Sequence, residues 1–348
     1  MVLSSACIGR LPQAADNQAA RAERGQGNTG ARRSEDASGL PIPPGPGNQA
    51  RPAGAPGNLT ILPWAGFRAA VTYTFDDANS SQIEHYDELQ ALGVPVTFYL
   101  TTGKPEAANP IWARALKDGH ELGNHSKTHP QSARAADIDA ATDFIKRTFG
   151  VATWTMASPF GDPSYPPMAS RRFLVNRGVV PGPIGVNDSV NPFDLPASVP
   201  PQEASAGVLN AEVNAAHQAG KWRIFLLHGF VGGSDGAYMP IRFADFAASV
   251  NHAKSLGDLW IDSMVSVASY WRGQRAVAAA PSTKTGATNT WTWSLPKNFP
   301  PGKYLRVRVD GGTLAQNGQP LPWNSHGYYE IALDTGTLTL SPDAAVMP

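Results

Sequence analysis

The stretch Val71-Thr-Tyr-Thr-Phe-Asp-Asp77 (VTYTFDD) predicts a β-strand that ends in two adjacent carboxylates. Val71, Tyr73 and Phe75 alternate with other residues, which is the period-two pattern of a strand. In parallel α/β folds the carboxyl ends of the strands face the active site, so two acids at that place indicate a functional site. The alternative is that the acids begin a turn and cap the helix that follows.

Strand-like and helix-like segments alternate after this strand. The further predicted strands cover residues 94–100, 121–124, 153–157, 179–180 and 224–227, and the predicted helices cover 83–92, 111–118, 135–149 and 243–256. This alternation predicts a parallel α/β domain, either open or closed into a barrel.

The two ends of the chain have a different character. Residues 1–57 are polar and rich in Ala, Gly and Pro, which is typical of a disordered or linker tail. The α/β domain is predicted over residues 58–276. Residues 277–348 begin with a predicted linker, which is followed by alternating segments, one with a turn at Asp334–Gly336, and they predict a small antiparallel β module. Bulky aromatics are usually buried, so Trp291, Trp293 and Trp323 are interpreted as core residues rather than as sugar platforms.

Charge and cysteine content exclude several classes of function. The chain has 28 Lys+Arg and 28 Asp+Glu, a balance that does not favour a nucleic-acid or anionic-membrane partner. The single cysteine, Cys7, excludes an internal disulfide framework and a cysteine-based zinc cluster. No apolar run is long enough for a membrane span. Export is a hypothesis, to a secreted, periplasmic or cell-surface location, with a lipoprotein anchor at Cys7 as one route.

Three of the eight histidines lie in the stretch Gly119–Pro130 (GHELGNHSKTHP). His125 and His129 are four residues apart, so on a helical turn they would share a face. Two imidazoles together with a carboxylate from elsewhere make a three-ligand metal site with an open position. The alternative is a pair of surface histidines, and His120 is interpreted as structural or exposed.

Three other motifs are weaker. His228 follows the apolar run Ile224–Leu227 and is either a core histidine or part of a site shared with the two aspartates. Gly232–Gly236 (GGSDG) fits the nucleophile elbow G-x-S-x-G, with Ser234 as the nucleophile, but the predicted strand ends too early for it. Gly25–Gly30 fits G-x-G-x-x-G without the strand and helix that a dinucleotide site requires, and it is discarded.

Taken together, these motifs resemble the polysaccharide deacetylase family, the NodB-homology group of carbohydrate esterases (carbohydrate esterase family 4). The blocks that carry the resemblance are TFDDA (74–78), GVPVTFYL (93–100), GHELGNHSKTHP (119–130), SPFG (158–161) and FLLHG (225–229). The resemblance covers residues 69–275. It implies a distorted (β/α) barrel, here followed by the small β module, and a divalent metal, zinc in most members, with cobalt, nickel or manganese as alternatives.

The resemblance also implies roles for individual residues. Asp77, His125 and His129 would hold the metal, Asp76 would be the general base and His228 the general acid.

The third motif implies an oxyanion and substrate contact at Pro159 and Phe160. Where the family typically has Arg-x-Pro-Tyr, with the arginine orienting the base, this chain has Ala157-Ser-Pro-Phe160. The family's fourth motif has only a loose counterpart in Asn187–Phe193.

The sequence therefore predicts a metal-dependent hydrolase that removes acetyl groups from an acetylated polysaccharide or oligosaccharide. An N-acetylglucosamine-containing glycan is favoured over acetylxylan. One alternative is a carbohydrate-binding protein that keeps the metal site but has little or no turnover, and a third hypothesis is a serine esterase that uses Ser234.

Overall fold

The computed structural model describes residues 38–343. Cys7 and the Gly25–Gly30 motif lie outside the described residues. The strands are β1 (Thr60–Ile61), β2 (Ala69–Asp76), β3 (Thr97–Leu100), β4 (Glu121–Asn124), β5 (Thr155–Ala157), β6 (Val175–Arg177), β7 (Trp222–Leu227), β8 (Leu259–Ile261), β9 (Ser282–Thr285), β10 (Thr288–Thr292), β11 (Tyr304–Arg308), β12 (Thr313–Gln316), β13 (Gln319–Pro320), β14 (Trp323–Asn324), β15 (Tyr328–Ala332) and β16 (Thr337–Ser341). The α-helices are α1 (Ser80–Glu84), α2 (Tyr86–Ala91), α3 (Ile111–Lys117), α4 (Ala135–Phe149), α5 (Tyr165–Ala169), α6 (Ala206–Ala219), α7 (Phe243–Ser255) and α8 (Met264–Ala278).

Seven parallel strands form the sheet at the centre of the α/β part. Their order is β6-β5-β4-β3-β2-β7, and β8 pairs with the first residues of β2. Residues 195–198 lie between the two outer strands, because Leu195 bridges to Arg177 of β6 and Ser198 bridges to Phe225 of β7, both in parallel. These single bridges close the sheet into an irregular ring, which confirms the predicted distorted (β/α) barrel.

The first barrel strand, β2, is buried on both faces. All eight of its residues are buried, and Tyr73 and Phe75 pack in the layer of helices outside the sheet. The threonines between them are also buried: Thr72 Oγ1 accepts a hydrogen bond from Trp222 Nε1 at 3.0 Å, and Thr74 donates to the Phe225 carbonyl at 2.8 Å. The alternation in the sequence therefore separates two faces of the strand that are both buried. One face carries apolar side chains, and the other carries hydroxyl groups that are hydrogen-bonded.

Most predicted barrel elements are confirmed, with two corrections. The predicted helix at 83–92 is part of two short helices, α1 and α2, that meet at His85. The strand predicted at Val179–Val180 lies earlier, at Val175–Arg177, and the Val180 side chain is 65% exposed. The pattern was misleading because buried Asn176 and Arg177 interrupt the apolar run that marks a buried strand.

Two antiparallel sheets contain the strands outside the barrel. One has the order β1-β11-β15-β14 and the other β13-β12-β16-β10-β9. The predicted linker at 278–288 instead contains the end of α8, all of β9 and the start of β10. The predicted turn before Gly336 is present, but β15 and β16 belong to different sheets and do not pair with each other. Trp293 is buried, in agreement with the core interpretation, whereas Trp291 and Trp323 are half-buried.

Arg306 on β11 connects three segments of the chain. Its side chain is fully buried, and Nε donates to Glu330 Oε1 at 3.1 Å. One terminal nitrogen donates to the carbonyls of Pro41 (2.7 Å) and Ala65 (2.9 Å), and the other donates to Leu40 (3.1 Å). Residues 38–57, the described part of the predicted tail, are therefore bound to the C-terminal strands. The division of the chain at residues 57 and 276 stays a prediction.

Replacing Arg306 with methionine is expected to lower the free energy of unfolding by about 3–5 kcal/mol, because it removes the buried positive charge that is paired with Glu330 and the donors to the carbonyls of Leu40, Pro41 and Ala65. Urea denaturation followed by tryptophan fluorescence measures the change. The matched control is Arg171→Met at an exposed arginine, where the effect is expected to stay within about 0.5 kcal/mol. An unchanged midpoint for the Arg306 variant would show that these contacts do not stabilise the fold.

Candidate active site

The predicted site residues meet at one edge of the barrel. Asp76 is the last residue of β2 and Asp77 follows it, His125 follows β4, and His228 follows β7. These strands are parallel, so their carboxyl ends lie on the same side of the sheet. The two aspartates do not cap α1: Asn79 is the residue before that helix, and the Ser81 amide in its first turn donates to Asp235 Oδ2 at 2.7 Å.

Asp77, His125 and His129 form a compact group of possible metal ligands. Asp77 Oδ1 lies 3.6 Å from His125 Nε2 and 3.6 Å from His129 Nε2, and one donor atom from each residue lies within 4.8 Å of the others. Two imidazole nitrogens and one carboxylate oxygen form a donor set that suits a divalent transition metal and leaves further positions open. The chemistry of the three residues therefore fits the metal that the resemblance implies.

A second contact fixes the ring of His125. Its Nδ1 lies 2.9 Å from the backbone carbonyl of Ala157, and a carbonyl can only accept, so Nδ1 carries the proton. Nε2 is then the unprotonated nitrogen and faces Asp77. A hydrogen bond of this kind behind a ligating histidine sets its tautomer and its orientation.

A loop, not a helical turn, brings the two histidines together. No helix covers residues 125–129, and Ser126 and His129 have left-handed backbone angles, with φ of 63° and 52°. The loop is held by Asn124 Oδ1, which accepts from the Ser126 amide at 2.7 Å, and by Ser126 Oγ, which accepts from the His129 amide at 3.0 Å. The two rings are therefore close because this loop turns the chain back, and not because both residues lie on one face of a helix.

Asp76 is the buried acid of the pair and is 2% exposed. Its Oδ2 is ion-paired with the Arg177 guanidinium, and its Oδ1 has no hydrogen-bond partner in the described part of the chain. Burial alone would raise the pKa of this carboxyl, but Arg177, with smaller contributions from His125 and His228, holds it below its ordinary value. Asp76 is therefore held as a carboxylate with one oxygen fixed and one oxygen available.

Arg177 is a site residue that the sequence did not reveal. It is fully buried at the end of β6, where its guanidinium also lies 5.6 Å from the centre of the Tyr99 ring. In the pairing of β5 with β6, Arg177 is the direct partner of Ala157, the position at which the family typically has arginine. Strand β6 thus supplies the guanidinium that pairs with Asp76, directly beside the position on β5 where the third motif lacks an arginine.

His228 lies across the site at the end of β7. Its backbone carbonyl accepts from Asn79 Nδ2 and Gln82 Nε2, both at 2.8 Å, and these bonds hold the residue in place. The ring Nδ1 has no partner among residues 38–343. Burial lowers the pKa of the imidazole, while Asp76 and Asp77 act in the opposite direction.

The fourth-motif candidate, Asn187–Phe193, does not provide a carboxylate partner for the His228 ring. Its Asp188 carboxylate accepts from the Gly185 amide and Lys221 Nζ.

Pro159 and Phe160 follow β5 in a short 3-10 turn. Pro159 is buried, whereas the Phe160 side chain is 58% exposed. Phe160 has a φ of 57°, and its ring centre lies 4.5 Å from that of His129. The turn therefore lies beside the metal-ligand group, and the oxyanion role of its backbone stays a prediction.

Ser234 and His120, which the sequence also singled out, are not among the residues that form this site. Ser234 is exposed in a loop that starts after β7 ends at Leu227, and α7 begins only at Phe243, so the strand–turn–helix succession of a nucleophile elbow is not formed there. His120 is buried and structural: its Nδ1 accepts from the Val96 amide at 3.0 Å and its Nε2 lies 2.9 Å from Gln90 Oε1.

Comparison with known proteins confirms the family resemblance for part of the chain. Residues 68–171 match the family described as Polysaccharide deacetylase. The peptidoglycan-N-acetylglucosamine deacetylase of Bacillus cereus is 29% identical over an alignment of 103 positions, which covers 27% of this chain and 38% of that protein. The matched segment thus covers less than half of the length of the Bacillus cereus protein.

Solved structures of similar proteins have lower identity. The peptidoglycan deacetylase PdaC from Bacillus subtilis has 20% identity and a TM-score of 0.39, over 60% of this chain and 94% of that one. A family 4 acetyl xylan esterase from Clostridium thermocellum has 19% identity and a TM-score of 0.39, over 57% of this chain and 89% of that one.

Proposed function

We propose that this chain, whose residues 68–171 match the polysaccharide deacetylase family, is a metal-dependent hydrolase that removes acetyl groups from a polysaccharide. One observation carries the proposal: a carboxylate held by a buried arginine lies directly beside an Asp-His-His group at the carboxyl edge of the barrel. The proposed metal ligands are Asp77, His125 and His129. A divalent metal there, for which we propose zinc, would polarise the acetyl carbonyl and acidify a water molecule.

Asp76 is the proposed general base. Arg177 is paired with Oδ2, so Oδ1 is the atom that accepts the proton. The proton comes from the water molecule, whose oxygen at the same time bonds to the acetyl carbon. The lowered pKa of Asp76 keeps this residue ionised, which is the form a base requires.

His228 is the proposed general acid. When the bond between the acetyl carbon and the leaving nitrogen or oxygen breaks, the leaving atom takes a proton from the imidazolium form of His228, which the charges of Asp76 and Asp77 favour, and the products are acetate and a free amine or hydroxyl group. The backbone N–H of Phe160 is the proposed donor to the oxyanion that forms between the two steps. The exposed ring of Phe160 lies at the same place and would contact the substrate.

The favoured substrate is a glycan that contains N-acetylglucosamine. The relatives support an acetamido sugar, since the Bacillus cereus protein is named a peptidoglycan-N-acetylglucosamine deacetylase. Such polymers lie outside the cytoplasm, and we therefore propose a secreted, periplasmic or cell-surface location. No helix within residues 38–343 is long and apolar enough to span a membrane.

Acetate release from a panel of substrates tests the proposal. We expect acetate from N-acetylated chitooligosaccharides or peptidoglycan fragments, less from acetylxylan, and a loss of about a hundredfold or more after chelation, because a Lewis acid contributes several kcal/mol. Added zinc should restore the rate. The Ser234→Ala variant is expected to behave as the unmodified chain.

Two other outcomes would lead to different conclusions. Glycan binding without metal-dependent acetate release from any of the substrates would make the protein a carbohydrate-binding protein that retains the metal site. Activity that resists chelation and disappears in Ser234→Ala would identify a serine esterase.

A further inference from the structure

A cavity of about 390 Å³ lies away from the candidate active site. Its walls include Trp271, Arg272 and Arg275 of α8, Pro192 of the loop after β6, and Leu295 and Pro296 of the segment after β10. Arg272 donates to the carbonyl of Leu174, the residue that precedes β6, whereas the active site lies at the opposite end of that strand. The cavity is thus bordered by α8, by the loop after β6 and by the segment that joins β10 to β11.

Both arginines of the cavity are held in place. Arg272 Nη1 donates to the Leu174 carbonyl at 2.6 Å, and its guanidinium lies 5.3 Å from the centre of the Phe193 ring. Arg275 Nη1 donates to the backbone carbonyl of Asp188 at 2.6 Å and lies 5.0 Å from the centre of the Trp271 ring. A guanidinium has five N–H donors, so each group retains donors beyond these contacts.

These two positive charges lack a paired carboxylate. Within residues 38–343, neither guanidinium has a carboxylate oxygen within 4.0 Å, and no acid is among the residues that line the cavity. The nearby Asp188 carboxylate is paired with Lys221 at 3.0 Å and interacts with the charge of Arg275 only from beyond ion-pair distance. Burial and the charge of Arg275 lower the pKa of Arg272 to about 10. Like charges three residues apart on a helix destabilise it, and partly buried charges are normally neutralised by a partner.

We propose that this cavity is a binding site for an oxyanion carried on a body of about sugar size, with Arg272 and Arg275 binding the charged group. A carboxylate or a phosphate accepts parallel N–H bonds from a guanidinium, which is the geometry that arginine recognises best. The volume is within the range of small-ligand sites and exceeds what a bare anion fills. Pro192, Leu295 and Pro296 provide apolar contact for the uncharged part.

The site does not depend on the proposed deacetylase activity. If the arginines only bind the carbonyls of Leu174 and Asp188, they are structural, and no anion should bind at the cavity. Glutamine separates the two roles, because its amide retains a donor for a carbonyl and removes the positive charge.

Isothermal titration of the full chain with four probes tests the proposal: glucuronate, glucose 6-phosphate, inorganic phosphate and glucose. We expect a Kd of about 1 mM or tighter for at least one of the two charged sugars, weaker binding of phosphate and none of glucose. Tighter binding of glucuronate would identify a carboxylate ligand, and tighter binding of glucose 6-phosphate a phosphate ligand. Arg272→Gln and Arg275→Gln should each weaken binding by about tenfold or more, whereas Arg171→Gln at an exposed arginine should not.

A second measurement covers the case in which a variant does not fold. In the unmodified chain, the charged sugar should protect Arg272 and Arg275 from modification by phenylglyoxal, as mapped by mass spectrometry, and glucose should not. The proposal is overturned if neither charged sugar binds the unmodified chain, if glucose binds equally well, or if bound sugar leaves both arginines unprotected.

Discussion

The Asp76→Asn variant is expected to lose turnover by a factor of about 10³ while it still binds the metal, because a general base contributes 10²–10⁴-fold and Asp76 is not among the proposed ligands. Asparagine preserves the shape of the side chain and an oxygen for Arg177 but cannot take the proton from water. Acetate release measures turnover, and titration with zinc measures metal affinity.

The neighbouring aspartate provides the control for this experiment. Asp77→Asn is expected to weaken zinc binding, because it removes the one carboxylate of the Asp-His-His group. If Asp76→Asn instead loses the metal and Asp77→Asn retains it, the two roles are exchanged. Circular dichroism should accompany both measurements, because the Asp76 variant leaves the charge of buried Arg177 unpaired.

Replacing Arg177 with alanine is expected to lower kcat by about a hundredfold, with little change in KM, because the base is then free to leave the position from which it accepts the proton. The buried pair also stabilises the fold, and removing one partner of such a pair costs about 3–5 kcal/mol. Turnover must therefore be measured at a temperature at which circular dichroism shows the variant to be folded.

A rescue experiment separates positioning from stability. Ala157 and Arg177 are paired across β5 and β6, so their side chains are on the same face of the sheet. Adding Ala157→Arg to Arg177→Ala is expected to restore part of kcat, because the new guanidinium comes from the position that the family uses. Ala157→Arg alone is the control and should not raise activity. A folded double variant that stays as slow as Arg177→Ala would show that the contact with Asp76 does not position the base.

Local patterns in the sequence were sufficient for the elements with regular periodicity. The helix predicted at 135–149 has those bounds in the structure, and the strand that ends at Asp76 is confirmed. The predictions failed where buried polar residues interrupt the pattern, as at Asn176 and Arg177, and where small polar residues form paired strands, as in 282–292. In both cases, neighbours far along the chain determine the strand, and local propensity is overridden.

The alternation of strands and helices predicted the class of the fold from the sequence, and the family resemblance supplied the candidate ligands. Asp76, Asp77 and His228 each lie at or just after a strand whose apolar pattern is visible, His125 follows the short strand Glu121–Asn124, and parallel strands bring such ends to one edge. Only the tertiary structure revealed Arg177, which is 101 residues from Asp76 along the chain. The register of β5 against β6 places it opposite Ala157, and that register depends on packing across the barrel rather than on the residues next to Arg177.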